Sequence, residues 1–129
     1  PAEWADLLGR REPDDVPPGV YSDADIFCLP SWWEAQPLSI LEAMGSGLPV
    51  VASDVGDVSR LVADGETGFV VPVKDPERLA DALEKLLRDA DMRTQMGDAS
   101  RKRVEERFSA EVTAQNLDRV YREVAPRRS

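Results

Sequence analysis

Apolar residues recur in two patterns along the chain, and the pattern changes near residue 73. Before that point three short runs are apolar almost throughout: DIFCLP (25–30), LPVVAS (48–53) and GFVVPV (68–73). Runs without polar alternation are typical of strands covered on both faces, and so predict a parallel sheet. Between them lie two short helical patterns, LSILEAMGSG, stopped by Gly45 and Gly47, and VSRLVADGETG, closed by an Asp64–Gly65 turn. This alternation of strands and helices indicates the α/β class.

Beyond residue 73 the pattern is wholly helical. Asp75 is suited to cap a helix whose first residue is Pro76. The expected apolar stripe of this helix is Leu79, Leu83, Leu86 and Leu87. A second helix is predicted from Asp91 to about Arg107, and a third after Ser109. The apolar set of the third helix is Val112, Leu117, Val120, Tyr121 and Val124.

The amino-acid composition argues against several classes of function. The chain has 129 residues and a net charge of −9, which argues against a surface for nucleic acid or anionic membrane. With no histidine and a single cysteine, it can form neither a histidine-dependent catalytic triad nor an internal disulfide. Cys28 falls in an apolar run and is interpreted as a small buried residue. No signal peptide or membrane-length apolar run is apparent, so a cytoplasmic protein is expected.

One loop carries the candidate chemistry. SWWEAQP (31–37) follows the first apolar run and leads into a helix, the position where parallel α/β sheets bind ligands. With Pro37 near the helix start, the N–H groups of Leu38, Ser39 and Ile40 are expected to be free to bind an anion such as phosphate. Glu42 lies one turn further, where its carboxylate could accept hydrogen bonds from a diol.

Glu34, in the loop, could reach the opposite end of the same ligand, which would then be a sugar nucleotide. The alternative is that both glutamates are exposed carboxylates and Glu42 is present as a good helix former. Trp32 and Trp33 could stack on a base or sugar, although at least one is expected to pack against the domain. Asp23 and Asp25 precede the strand instead of following it, so no metal site is assigned to them.

The chain resembles the carboxyl-terminal donor-binding domain of GT-B-fold retaining glycosyltransferases, the "group 1" family (family 4). The most specific feature is the pair of glutamates with seven residues between them, followed by AMGSGLPVVAS. The resemblance extends from DLLG near the amino end to VYREV near the carboxyl end. It implies a partial Rossmann-like sheet followed by carboxyl-terminal helices, and a sugar transferred from a nucleoside-diphosphate sugar to an acceptor.

The resemblance also implies roles for matched positions. Glu34, as the catalytic-site residue, would contact the hydroxyls of the donor sugar, and Glu42 would bind the ribose diol. Ala35, Gln36 and Leu38 fall where backbone groups meet the sugar and diphosphate. The family commonly has Gly-Phe-Gly where this chain has Ala35-Gln36-Pro37, so an N–H donor is lost at Pro37 and a side-chain amide that could contact a sugar hydroxyl is added at Gln36. Asp57 replaces a common glycine. No metal or other cofactor is implied.

Other parts of the family's site are not expected here. The phosphate-binding arginine and lysine and the acceptor-binding amino-terminal domain would lie upstream. The chain is therefore expected to be a single partial domain, truncated at its amino end and inactive alone. It would comprise a poorly defined start (1–24), a donor-site region (25–73) and a helical region (74–125). The alternatives are a stand-alone nucleotide-sugar-binding module and a structural module without a ligand.

The absence of two of the family's strands would also affect the sheet. In the family's strand order, two absent strands would lie beside DIFCLP and leave it as a long apolar edge. Self-association through this edge, or displacement of residues 1–24, is expected.

Overall fold

The computed structural model describes residues 19–34 and 37–124. Residues 1–18 lie outside this part, so the expectations for DLLG and for most of the amino-terminal region are not addressed. The strands are β1 (Phe27–Leu29), β2 (Val50–Ser53) and β3 (Gly68–Val71). The helices are α1 (Leu38–Gly45), α2 (Val58–Leu61), α3 (Pro76–Arg88), α4 (Ala90–Arg107) and α5 (Ala110–Val124).

The three strands form one parallel sheet in the order β1-β2-β3, which confirms the predicted α/β class. Phe27 is paired with Val50 in the register of β1 and β2, and Val50 with Gly68 in that of β2 and β3. All four residues of the central strand β2 are buried, as expected for a strand covered on both faces.

Helices cover both faces of the sheet. Val50 and Ala52 of β2 face one apolar cluster, which also contains Ile40, Ala43 and Met44 of α1 and Val58 and Leu61 of α2. Val51 points the other way and joins a second cluster with Ala82 and Leu86 of α3 and Met96 of α4. Because side chains alternate along a strand, one short apolar run serves both layers.

Helix α4 packs closely against the end of α1. Gly97 is buried in α4, and a Cβ placed there would lie 2.2 Å from the carbonyl oxygen of Gly47. Side-chain hydrogen bonds to backbone carbonyls also hold α4 to the rest of the fold. The buried hydroxyl of Ser100 donates to the Thr67 carbonyl over 3.0 Å. The Arg103 guanidinium donates to the Leu61 carbonyl at the end of α2 over 2.8 Å.

Several helix ends lie where the sequence predicted them. Asp75 caps α3 by accepting from the Arg78 N–H, and Pro76 is the first residue of that helix. Helix α1 ends at Gly45, and Gly47 has a φ of +82°, a conformation that glycine adopts without strain. Asp89 caps α4, which therefore begins at Ala90, one residue earlier than predicted.

The predicted apolar faces of α3 and α5 include residues that are exposed in the structure. Leu87 is 67% exposed, because α3 turns Ala82 and Leu86 toward the sheet and leaves Leu87 outside that face. On α5, Leu117 and Val120 are also exposed, because α5 packs mainly against α4 instead of entering the core. The side chains of Val112, Tyr121 and Val124 lie outside the described part.

The first strand is shorter than predicted. It comprises three residues, all half-buried, and within the described residues it pairs only with β2. It is therefore a sheet edge in this part of the chain, but a short one. None of the described helices is both long and apolar enough to cross a lipid bilayer.

Candidate functional site

The loops that follow the three strands meet at the carboxyl edge of the sheet. Trp32, after β1, and Lys74, after β3, both contribute to a cavity there, together with Ser53 at the end of β2. Parallel α/β sheets bind ligands at this edge. The predicted loop therefore lies where the fold places binding sites.

The start of α1 differs in one detail from the prediction. Pro37 is the cap residue, and the Ile40 N–H donates to the Pro37 carbonyl over 3.1 Å, so the prediction that this N–H is free was wrong. Leu38 and Ser39 precede it in the first turn, where backbone N–H groups have no intrahelical acceptor. No side chain among the described residues caps this helix. Leu38 is 61% exposed, so the helix start is open to solvent.

Glu42 lies on the exposed side of α1 and has a specific partner. The Tyr21 hydroxyl donates a 2.7 Å hydrogen bond to Glu42 Oε2. Tyr21 is held in a turn in which the Asp23 N–H donates to the Gly19 carbonyl, and its ring lies 6.1 Å from that of Phe27 in β1. This tyrosine fixes the position of the carboxylate while leaving the second carboxylate oxygen, Oε1, as an acceptor.

The environment of Tyr21 keeps it in its donating form. Burial, followed by the hydrogen bond to Glu42 and the charge of Glu42, raises the pKa of the Tyr21 phenol to about 12. The phenol is therefore neutral at pH 7. Sequence reasoning missed this residue because 21 positions separate it from Glu42. The only local signal was a tyrosine directly before the β1 region.

Titration of Tyr21 should differ measurably from that of a free tyrosine. In a Tyr121→Phe background, where Tyr21 is the only tyrosine left of two, absorbance at alkaline pH should give a midpoint near 12 in place of 10. The folded state then keeps a proton that the unfolded state loses. The associated stability is complete below about pH 10 and decreases as the pH rises toward 12.

Glu42→Gln provides the internal comparison for this titration. It removes the charge and weakens the hydrogen bond, but burial, the largest cause, remains. The midpoint should therefore fall only part of the way. A midpoint at the ordinary tyrosine value in the unsubstituted Glu42 protein would mean that the Tyr21–Glu42 contact does not form in solution.

Glu34 also has one side-chain partner. The Ser31 hydroxyl donates to Glu34 Oε1 over 3.0 Å, and the glutamate is half-buried. Ala35 and Gln36 lie outside the described residues. No hydrogen bond joins Glu34 to Glu42 in the part of the chain that the structure covers, so each carboxylate is positioned by its own donor.

The two tryptophans do not behave as predicted. Trp32 is 71% exposed and Trp33 is 79% exposed, so the expectation that at least one packs against the domain was wrong. The loop carries both rings outward from the end of β1. Trp32 nevertheless has a contact, because Lys74 Nζ lies 4.7 Å from the centre of its ring.

Cys28 and the early aspartates show no sign of a reactive or metal site. Cys28 is half-buried in β1, and burial raises the pKa of its thiol, which disfavours the reactive thiolate. Within residues 19–34 and 37–124, no group of three or more Cys, Asp or Glu side chains is arranged to hold a metal ion.

Sequence comparison identifies the family. Residues 5–103 match the family described as "Glycosyl transferases group 1". The chain belongs to the group 1 glycosyltransferase family. A D-inositol 3-phosphate glycosyltransferase from Corynebacterium diphtheriae is 42% identical over 92% of this chain and 27% of its own length. An alpha-D-kanosaminyltransferase from Streptomyces kanamyceticus is 36% identical over 83% of this chain and 28% of its own length.

This group 1 glycosyltransferase chain therefore spans about a quarter of the curated relatives it matches. Among solved structures, sucrose-phosphate synthase from Thermosynechococcus elongatus superimposes with a TM-score of 0.74 and 36% identity, covering 81% of this chain and 26% of that one. The carboxyl-terminal domain of a group 1 family protein from Francisella tularensis gives a TM-score of 0.66 and 29% identity, covering 70% and 46%. The fold is that of GT-B glycosyltransferases.

Proposed function

We propose that this chain is the donor-binding part of a retaining glycosyltransferase that transfers a sugar from a nucleoside-diphosphate sugar to an acceptor. The observation that carries the proposal is the Glu42 carboxylate. It lies one turn inside a helix with an open start, and Tyr21 holds one of its oxygens at 2.7 Å. A fixed carboxylate beside free N–H groups suits a ligand that has a diol next to a phosphate.

We assign each residue the role that the family resemblance implies for its position. Glu42 accepts hydrogen bonds from the ribose hydroxyls of the donor, and the N–H groups of Leu38 and Ser39 face its diphosphate. Glu34, oriented by Ser31, contacts the hydroxyls of the transferred sugar close to the reacting carbon. By the same resemblance, the backbone groups of Ala35 and Gln36 would contact the sugar and the diphosphate. Transfer develops positive charge on the sugar ring, which a nearby carboxylate stabilises.

We further propose that the chain alone does not transfer sugar. The departing diphosphate needs positive charge, which one helix start supplies only weakly. The arginine and lysine that bind the diphosphate in the family would lie upstream of the matched residues, whereas the three lysines of this chain, Lys74, Lys85 and Lys102, all follow the donor-site helix. The rest of the charge, and the acceptor site, would come from the remaining length that the relatives possess.

Ligand-observed NMR with UDP, GDP and ADP would test the proposal. We expect one of the three to bind and the binding to be lost in Glu42→Ala. UDP is the first choice because a fold neighbour, HepE from Anabaena, was solved in complex with UDP. If none of the nucleotides binds at millimolar concentration, the chain has no donor site of its own.

We also propose that donor binding requires no metal ion, because the N–H groups at the helix start contact the diphosphate directly and no cluster of carboxylates among the described residues is arranged to hold a cation. Addition of EDTA should then leave the nucleotide affinity unchanged. An affinity that falls with EDTA and returns with Mg²⁺ would contradict this.

Self-association through β1 is a second proposal, favoured by the unpaired edge of this strand in the described sheet. Parallel strands with free edges pair readily with other chains, although a strand of three residues offers few hydrogen bonds. Gel filtration should give an apparent mass that increases with protein concentration. A monomeric mass at every concentration would rule out this proposal.

A further inference from the structure

A cavity of about 300 Å³ lies at the carboxyl ends of the three strands. Its apolar walls come from Pro30, Pro72, Pro76, Val71 and Leu79, and its polar groups come from Trp32, Ser53, Lys74 and Asp75. Neither Glu34 nor Glu42 lines it. Its volume is at the lower limit of small-molecule pockets, so it suits a single ring better than a nucleotide.

Ser53 indicates that the cavity takes a polar ligand. This serine is only 4% exposed, yet its hydroxyl has no hydrogen-bond partner among the described residues. The other two buried polar residues of the described part are both paired, since Ser100 donates to the Thr67 carbonyl and the Thr67 hydroxyl accepts from the Ala63 N–H. In the described part, every side-chain nitrogen or oxygen that is fully shielded from solvent has a hydrogen-bond partner. The unpaired Ser53 hydroxyl is therefore not fully shielded, and it opens into the cavity that it lines.

The rim of the cavity offers an aromatic face and two opposite charges. Trp32 is 71% exposed, and Lys74 Nζ lies 4.7 Å from the centre of its indole ring. Lys74 has a φ of +57°, which is strained for any residue with a side chain and would suit glycine or asparagine better. Asp75 uses Oδ1 to cap α3, which leaves Oδ2 as an acceptor.

We propose that this cavity is a carbohydrate subsite that binds one sugar or polyol ring, separately from the nucleotide. Such rings have an apolar C–H face, which would lie against Trp32 and the prolines. Their hydroxyls can accept hydrogen bonds from Lys74, donate to Asp75 and pair with Ser53. These three contacts pair the Ser53 hydroxyl and use both rim charges on a neutral ligand.

The test uses the full chain with Trp4→Phe and Trp33→Phe, which leaves Trp32 as the only one of three tryptophans. Its fluorescence, and saturation transfer to the probe by NMR, would be followed with methyl α-D-glucopyranoside, myo-inositol and cyclohexanol. We expect the two hydroxylated rings to bind at millimolar concentration and more tightly than cyclohexanol.

The variants assign this binding to the cavity. Ser53→Ala should weaken it by about fivefold, the effect of losing one neutral hydrogen bond, and Lys74→Gly by about tenfold, because the lost donor is charged. Lys74→Gly keeps the backbone conformation because glycine favours this φ. Lys85→Gln is the matched control. Lys85 also lies over an aromatic ring, with Nζ 5.5 Å from the centre of Phe69, but it does not line the cavity. Its substitution should leave the affinity for the sugar ring unchanged.

A further binding measurement distinguishes this subsite from the donor site. Binding of methyl α-D-glucopyranoside should be the same in Glu42→Ala, whether or not nucleotides bind. The proposal is overturned if neither hydroxylated ring binds, or if cyclohexanol binds equally well and Ser53→Ala has no effect. It is also overturned if glucose binds only as UDP-glucose and that binding is lost in Glu42→Ala.

Discussion

Gly97→Ala should lower the free energy of unfolding by about 3 kcal/mol, because the added methyl group has no space. Its Cβ would lie 2.2 Å from the Gly47 carbonyl oxygen and 3.1 Å from the Gly47 carbonyl carbon, both of them backbone atoms. Backbone cannot move aside as the end of a side chain can. Helix α4 would have to separate from the loop after α1, which also disturbs the nearby Ser100–Thr67 hydrogen bond.

Gly45→Ala is the matched control for this substitution. Gly45 is the exposed last residue of α1, and the nearest atom to its added Cβ is a methyl carbon of Val104 at 3.9 Å, an ordinary contact. Alanine is favoured over glycine in helices, so this variant should be unchanged or more stable by up to about 1 kcal/mol. Urea unfolding followed by circular dichroism gives both values. Similar effects of the two substitutions would show that α4 does not pack against Gly47 as described.

Glu42→Ala should weaken nucleotide binding by about 100-fold, provided that the ribose diol is what the carboxylate binds. Hydrogen bonds to a charged group contribute about 1.5–3 kcal/mol each, and removal of the carboxylate leaves two ribose hydroxyls unpaired at this position. The 2′,3′-dideoxy form of the same nucleotide lacks both hydroxyls. It should bind weakly to the unsubstituted chain and equally weakly to Glu42→Ala.

Two further variants make the comparison specific. Glu84→Ala removes an exposed carboxylate from α3, which covers the opposite face of the sheet from α1, and should leave nucleotide affinity unchanged. Tyr21→Phe removes the donor that holds Glu42 Oε2 and should weaken binding less than Glu42→Ala does. Isothermal titration or ligand-observed NMR provides the affinities. If Glu42→Ala weakens the dideoxy nucleotide as much as the normal one, Glu42 acts by a route other than the diol.

The layout of the sheet followed from local sequence. Apolar runs without alternation predicted parallel strands covered on both faces, and β2 is buried along its whole length. Caps and glycine stops set most helix ends, because capping depends on neighbours only a few residues away. The glutamate pair was also recognisable, since its spacing and the following AMGSGLPVVAS are contiguous in the sequence.

Exposure was less predictable than secondary structure. The spacing of Leu87 matched a helical stripe, but the orientation of α3 on the sheet leaves it 67% exposed. Trp32 and Trp33 are large and apolar, yet both are carried outward by the loop after β1. The helical period shows which residues share a face of a helix, whereas the packing of whole elements decides how much of that face is covered.

The sequence by itself determined the α/β class, the order of elements and the family, and it singled out the two glutamates as candidate site residues, because each depends on short contiguous patterns. Only the tertiary structure decided what surrounds those glutamates and what else lies at the sheet edge. The contact between Tyr21 and Glu42 joins residues 21 positions apart. The cavity brings Trp32, Ser53 and Lys74 together from the ends of three strands. Contacts of this kind depend on strand register and helix packing, and no local pattern in the chain encodes them.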